Sequence, residues 1–318
     1  MKKYFLTAVP VAALALTLAA QSYAAGVNLN FGSGRQGGSQ YPVTVALAQV
    51  LEKLPQFNKL SLQPGGSIGN VIRVDTGKSD IAITMSMASM DGRLGNPPFK
   101  KKVTNVVQLM TLHAFNVIAL VPVDSEIKSY KDFVGKKINF APMGYSIMEV
   151  GRRVMAMLKI TGKLKVGHLR INAAVQQFKD GHIDGLFYSP SDRYGPIINL
   201  AQTRKIRAVP LDKWVIDRII KETPSFFRTQ FPKSKGVYKG LVNSVDTIAF
   251  PNVILANRNR ISSDQAYAMV KAVAENFDKV RVGDPSLNDF DPKNMARNVG
   301  TPFHPGAVRY YRERGWTK

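Results

Sequence analysis

Two short runs in this sequence hold residue types that could do chemistry. Gly65-Gly66-Ser67-Ile68-Gly69 matches G-x-S-x-G, where a sharp strand-to-helix turn exposes a serine hydroxyl for acyl transfer. A hydrolase built on Ser67 needs a later Asp or Glu and then a His. His113, His168, His182 and His304 are the only histidines. His304 stands in His304-Pro305-Gly306-Ala307 and reads as a helix-entry residue, and no oxyanion-hole motif accompanies Ser67. The alternative makes Ser67 a helix cap that faces a ligand.

The second run, Gly32-Ser33-Gly34-Arg35-Gln36-Gly37, has the dinucleotide fingerprint spacing. In that fingerprint the helix begins within the glycines, so that the pyrophosphate lies on its N-terminus. Here Gly37-Gly38-Ser39-Gln40-Tyr41 prolongs the loop, and Pro42 is expected at the first helical position. No acidic residue ends a second strand at the required distance. What remains is an anion cradle of backbone N–H groups and a helix N-terminus. Ser33, Ser39 and Tyr41 can add hydroxyl donors, and Arg35 can add a guanidinium fork for a carboxylate.

Other candidates lie at the ends of strand-like segments. Met85, Met87 and Met90 follow a buried strand and suit core or cleft packing. Ser189-Pro190-Ser191 closes the strand that ends at Tyr188, and Tyr145-Ser146 lies in a loop before a helix. The histidines lack metal-ligand spacing. Open α/β sheets bind ligands beyond the carboxyl ends of their strands. The candidate ligand-binding set is therefore Ser33, Arg35, Gly38, Ser39, Tyr41, Ser67, Met85, Ser86, Tyr145, Ser146, Tyr188, Ser189 and Ser191, with no catalytic residue, cofactor or metal.

These loops must be positioned by an α/β frame. Strand-like and helix-like segments alternate throughout, as in a parallel sheet flanked by helices. Strands are expected over 27–31, 60–63, 81–84, 137–140 and 183–188. Helices are expected after the glycine loop, from Ser67 to about Thr76, and over 173–179. Gly77-Lys78-Ser79-Asp80-Ile81 is echoed by Gly181-His182-Ile183-Asp184-Gly185, each with a helix-ending glycine and an aspartate before a buried strand. The echo points to two lobes of similar plan, the aspartates being turn residues. Two apolar runs rich in β-branched residues, 115–122 and 247–256, are expected to cross between the lobes and form a hinge. Lobe one then takes residues 25–116 and 252–318, and lobe two takes 117–251.

The 318 residues carry a net charge of +22 and no cysteine. Residues 1–24 read as a signal peptide. Lys2 and Lys3 precede an apolar run too short to span a bilayer, and Ser22-Tyr23-Ala24 offers a cleavage site. Export to the periplasm and the absence of cysteine exclude disulfides and thiol chemistry. The positive charge steers anions. Lys and Arg occur in scattered ones and twos without interleaved aromatics, against a nucleic-acid partner. A small anionic organic solute fits better, taken up by a monomer.

Taken in order, these pieces resemble the TAXI-type extracytoplasmic solute receptors of tripartite ATP-independent periplasmic (TRAP) transporters. The resemblance covers nearly all of the mature chain. It rests on Gly34 through Pro42, on Ser67, Asn70 and the segment 77–83, and on residues 127–137. It also rests on Glu149 with Arg152-Arg153, and above all on His304-Pro305-Gly306-Ala307-Val308-Arg309-Tyr310-Tyr311. It implies a two-lobed periplasmic binding protein fold with two hinge crossings and a central cleft. A small organic acid (a dicarboxylate, 2-oxo acid or acidic amino acid) would be captured there and delivered to a sodium-driven membrane permease. Gln40 stands in place of a usual tyrosine, and Met85 and Met87 replace polar residues around Ser86. The loss of an acidic side chain near Met87 favours a carboxylate without an amine, since a buried cation needs a partner. The binding subunit of a different uptake system is the other transport reading.

Overall fold

The computed structural model describes residues 26–143, 145–233 and 236–317. The expected signal peptide lies outside the described residues. Among those described, no helix is long and apolar enough to cross a membrane.

The first lobe opens with β1 (Val27–Ser33), α1 (Gln40–Leu51), β2 (Phe57–Pro64), α2 (Ser67–Asp75), β3 (Ile81–Met85) and α3 (Ser86–Leu94). The long β4 (Val106–Asn116) then leads, across Val117 alone, into β5 (Ile118–Pro122) of the second lobe. There follow β6 (Lys137–Asn139), α4 (Ser146–Met157), β7 (Lys165–Gly167), α5 (Ile171–Lys179), β8 (Gly185–Tyr188), α6 (Gly195–Thr203), β9 (Ile206–Val209) and α7 (Lys213–Glu222). After β10 (Phe227–Phe231), β11 (Val245–Asn257) returns the chain to the first lobe, which α8 (Ser263–Glu275), α9 (Phe277–Arg281) and α10 (Pro305–Glu313) complete.

Both sheets follow one plan. In the first, β1 lies parallel between β2 and β3, and β11 runs antiparallel to β3. In the second, β6 lies parallel between β7 and β8, and β5 runs antiparallel to β8. The two crossing strands are thus the antiparallel members of their sheets. They are stitched together where they pass: the Val117 N–H donates to the Ile248 carbonyl at 2.8 Å, and the Thr247 hydroxyl donates to the Val117 carbonyl. The second crossing is a strand of 13 residues rather than a short link. β10 pairs its first stretch, β3 its last, and β4 lies along most of it.

The repeated glycine–aspartate turns do the same job in each lobe. Gly77 and Gly181 end their helices at φ of +71° and +75°, a left-handed conformation that glycine adopts without steric cost. The Asp80 carboxylate accepts the Asn30 N–H at 2.7 Å while the Asp80 N–H donates to the Asn30 carbonyl at 2.9 Å. Asp184 repeats both bonds on Lys137, at 2.7 and 2.8 Å. Each aspartate therefore clips the central parallel strand to the turn that feeds its neighbour.

Apolar burial holds each layer. Phe31, Leu47, Ile81, Ile83 and Tyr311 lie fully buried between the first sheet and α1, α8 and α10. In the second lobe Phe140 and Phe187 pack with ring centroids 4.6 Å apart. Ile147, Val150 and Val154 line the buried face of α4 at helical spacing.

A cleft ringed by helix N-termini

The parallel strands of both sheets deliver their carboxyl ends to one cavity of about 430 Å³ between the lobes. Because each strand there leads, directly or through a short loop, into a helix, the cavity is ringed by helix starts. Ser39 and Gln40 open α1, Gly66 and Ser67 open α2, and Met85 precedes α3. From the second lobe, Tyr145 and Ser146 open α4, Arg170 and Ile171 open α5, and Tyr194 precedes α6. None of these starts has a side chain bonded to its first-turn N–H groups. Free N–H groups and the positive ends of helix dipoles favour an anion.

The side chains agree. Arg35 and Arg170 are the charged lining residues, and none of the described lining residues is an aspartate or glutamate. Arg35 stands over the Tyr145 ring, 5.5 Å from its centroid, so a first-lobe cation rests on a second-lobe aromatic. Ser146 is only 7% exposed, and its hydroxyl has no hydrogen-bond partner. Phe115, Ile147, Ile171, Tyr188 and Tyr194 supply apolar surface. Tyr188 and Tyr194 stack at 5.8 Å. Burial raises both phenols above their ordinary range, and a hydrogen bond between them raises Tyr188 further and lowers Tyr194. Both are neutral at physiological pH.

Of the candidate residues, Arg35, Gly38, Ser39, Ser67, Met85, Tyr145, Ser146, Tyr188 and Ser189 share the cavity. Four do not line it. Ser33 is fully buried and its hydroxyl donates to the Gly34 carbonyl at 3.0 Å. Ser86 is likewise buried and donates across to the Ser225 carbonyl at 3.4 Å. Tyr41 lies within α1, and Ser191 faces a separate hollow beside Arg193. The structure also brings in Gln40, which the sequence had singled out in the loop without assigning it to the ligand, and Phe115, Arg170, Ile171, Asn172 and Tyr194, which sequence reasoning missed. Arg170 follows a strand of three residues, too short to announce a strand end. Phe115 belongs to a continuous strand whose pattern gives no sign of which face meets the cleft.

Two local expectations need correction. Gly66, not Ser67, is the N-cap of α2, and Ser67 is the first helical residue, its hydroxyl free of a capping bond. Pro42 is the third residue of α1 rather than the first, because the helix already starts at Gln40, with Ser39 at its N-cap position but making no capping bond. Proline is tolerated there because first-turn N–H groups have no intrahelical acceptor. The glycines of the loop answer to packing. A Cβ on Gly34 would fall 2.6 Å from Gln40 Cβ, one on Gly32 would fall 2.8 Å from Ala82 Cβ, and Gly37 sits at φ +77°.

No histidine reaches Ser67. His113 lies 3.5 Å from Asp284, His304 caps α10 by accepting the Gly306 N–H, and neither His168 nor His182 lines the cavity. The G-x-S-x-G turn therefore lacks the imidazole base that its chemistry needs. A second hollow of about 530 Å³ lies outside, between α1 and α8. There Arg309 is already paired with Asp264 at 2.9 Å.

Away from the cavity the lobes are joined by charge. Arg153 of α4 reaches Asp91 of α3 at 2.6 Å and Glu149 of its own helix at 3.1 Å. Asp91 is 2% exposed.

The family model described as NMT1-like matches residues 31–315. The chain belongs to the NMT1-like family. Among solved structures, it is similar to a putative L-cystine ABC transporter protein from Listeria monocytogenes. That match has 13% identity and a TM-score of 0.52, over 82% of this chain and 96% of the other. It is also similar to the periplasmic aliphatic sulphonate binding protein SsuA from Escherichia coli, with 16% identity and a TM-score of 0.46, over 90% and 78%. At such identities the first likeness speaks for the fold: this member of the NMT1-like family has the two-lobed architecture of periplasmic solute-binding proteins.

Proposed function

We propose that this protein is a periplasmic receptor that captures a small organic acid in the interlobe cleft and delivers it to a TRAP-type membrane permease. The observation that supports this reading most is the ring of uncapped helix starts, with Arg35 and Arg170, around a cavity that no described carboxylate lines. Such a site holds an anion by fixed dipoles and donors and supplies no group to break a bond. The ligand-binding set is Arg35, Gly38, Ser39, Ser67, Met85, Tyr145, Ser146, Tyr188 and Ser189, extended by Gln40, Phe115, Arg170 and Tyr194. A bound acid touches both lobes, so it favours the closed state by its differential affinity.

The resemblance of the ordered motifs to TAXI-type receptors supports delivery to a sodium-driven permease. Mass spectrometry of ligand released from freshly purified protein tests the first half, and an organic acid is expected. Uptake in vesicles bearing the cognate permease tests the second half. Dependence on a sodium gradient is expected, whereas dependence on ATP would assign the protein to an ABC importer instead.

A further inference from the structure

Charge is distributed unevenly within the cleft. Arg35 and Arg170 are both exposed and stand at its rim. The buried part of the lining offers hydroxyls and rings: Ser67 is 8% exposed, Ser146 7% and Phe115 3%. An acid needs one place for its carboxylate, and the start of α4 supplies it. The Ser146 hydroxyl is more than nine-tenths buried and unpartnered, a donor whose burial is costly unless a ligand accepts from it. The remaining wall is apolar and aromatic, with Met85, Ile147 and Ile171 beside Phe115 and the stacked Tyr188–Tyr194 pair, whose phenols are neutral. A second buried carboxylate would meet those rings rather than a cation. An ammonium would be buried with no carboxylate among the described lining residues. A cavity of about 430 Å³ also falls within the roughly 300–1,000 Å³ typical of sites for drug-sized ligands, more than a four- or five-carbon diacid fills.

We propose that the cleft selects a ring-bearing monocarboxylate without an amine. Its carboxylate accepts from Ser146 and the first-turn N–H groups of α4 and α2, and its ring lies against Phe115, Tyr188 and Tyr194. This assignment rests on the organic-acid reading and narrows it.

Calorimetric titration of protein freed of endogenous ligand, with four matched probes, tests it. The probes are 3-phenylpropanoate, glutarate, L-phenylalanine and 3-phenylpropanol. 3-Phenylpropanoate is expected to bind at least about tenfold more tightly than glutarate, the gain that favourable aromatic pairing brings. L-Phenylalanine and 3-phenylpropanol are each expected to bind at least about tenfold more weakly than the aryl acid, for want of a cation partner and of an anion respectively. Tyr194→Leu is expected to narrow the gap between the two acids by weakening 3-phenylpropanoate more than glutarate. Glutarate binding as tightly as 3-phenylpropanoate overturns the ring assignment and leaves the organic-acid reading standing. Tightest binding of 3-phenylpropanol overturns both. Binding of none of the four overturns the aryl-acid class, and the released-ligand mass spectrum then judges the broader reading by itself.

Discussion

The two walls of the cleft are built on the same sheet plan yet present different chemistry. The first-lobe wall combines loop backbone and small hydroxyls, in the glycine loop through Gly38, the Gly65-Gly66 turn, Ser39 and Ser67, with the side chains of Arg35, Gln40, Met85 and Phe115. The second-lobe wall is mostly side chain: Tyr145, Ile147, Ile171, Tyr188 and Tyr194 around the buried Ser146. Backbone N–H groups at a helix start accept almost any anion, because they read charge and reach rather than shape. Rings and a single buried hydroxyl read shape. Under the proposed receptor function, a cradle on one lobe and a selective surface on the other would let closure, rather than first contact, decide which acid is kept. The Asp91–Arg153 pair crosses the same gap, so charge already joins the walls away from the ligand.

That contrast can be broken at several points. Arg153→Met leaves Asp91 buried and unpaired and is expected to cost about 3 kcal/mol of unfolding free energy, read by urea denaturation. The double variant Asp91→Leu/Arg153→Met is expected to recover most of it. On the first-lobe wall, Gly34→Ala forces the loop from the start of α1, since the new Cβ would fall 2.6 Å from Gln40 Cβ. Overpacking of this kind costs about 1–3 kcal/mol, and every acid should bind more weakly, in equal proportion. Retained discrimination with lost affinity is the calorimetric signature of a cradle.

The serines test the second wall against the first. Ser146→Ala removes an unpartnered buried hydroxyl, so the melting temperature of ligand-free protein is expected to hold or rise. Ligand affinity is expected to fall by about 1.5–3 kcal/mol, the worth of a hydrogen bond to a charged group. Ser67→Ala is expected to cost about 0.5–1.5 kcal/mol, because the backbone donors of α2 remain. Neither wild type nor Ser67→Ala should turn over an ester substrate, and serine-dependent turnover would replace the receptor reading with a hydrolase.

The smallest expected effect is a pH slope. Burial raises the Glu149 carboxyl, but hydrogen bonds and charge from Arg152 and Arg153 outweigh it and hold the group below its ordinary value. A carboxylate depressed in the folded state lends stability above its unfolded value, near pH 4.3. That stability is lost as pH falls through the folded value. Glu149→Gln should therefore flatten the acid limb of urea-unfolding free energy measured below about pH 4.3.

Much of the fold was legible because local signals repeat. Gly77 with Asp80 and Gly181 with Asp184 punctuate two helix-to-strand junctions, although the backbone each aspartate holds, at Asn30 and Lys137, lies on a distant strand. The candidate residues that gather in the cavity do so for a related reason: strand-end loops in a parallel sheet face one way. Ser33, Ser86 and Ser191 stand at such ends too, but their side chains are buried away from the cavity, a choice of rotamer and neighbour that spacing does not encode. Arg170 escaped notice because β7 is three residues long, leaving little periodicity to mark its end, and Tyr194 because it stands beyond the closing turn of β8, at the N-cap of α6.

The sequence by itself determined the alternation of strands and helices, the glycine-closed turns, the positive charge and the ordered motifs that resemble those of a solute receptor. These follow from backbone sterics and from hydrophobic period, which act within a few residues. Tertiary structure decided which loops meet. It brought Arg35 onto Tyr145, Arg153 onto Asp91, and Phe115 of the first lobe to the same cavity as the Tyr188–Tyr194 pair of the second. Such pairings join residues far apart in the chain. They depend on how two crossing strands set one lobe against the other, and no local pattern carries that information.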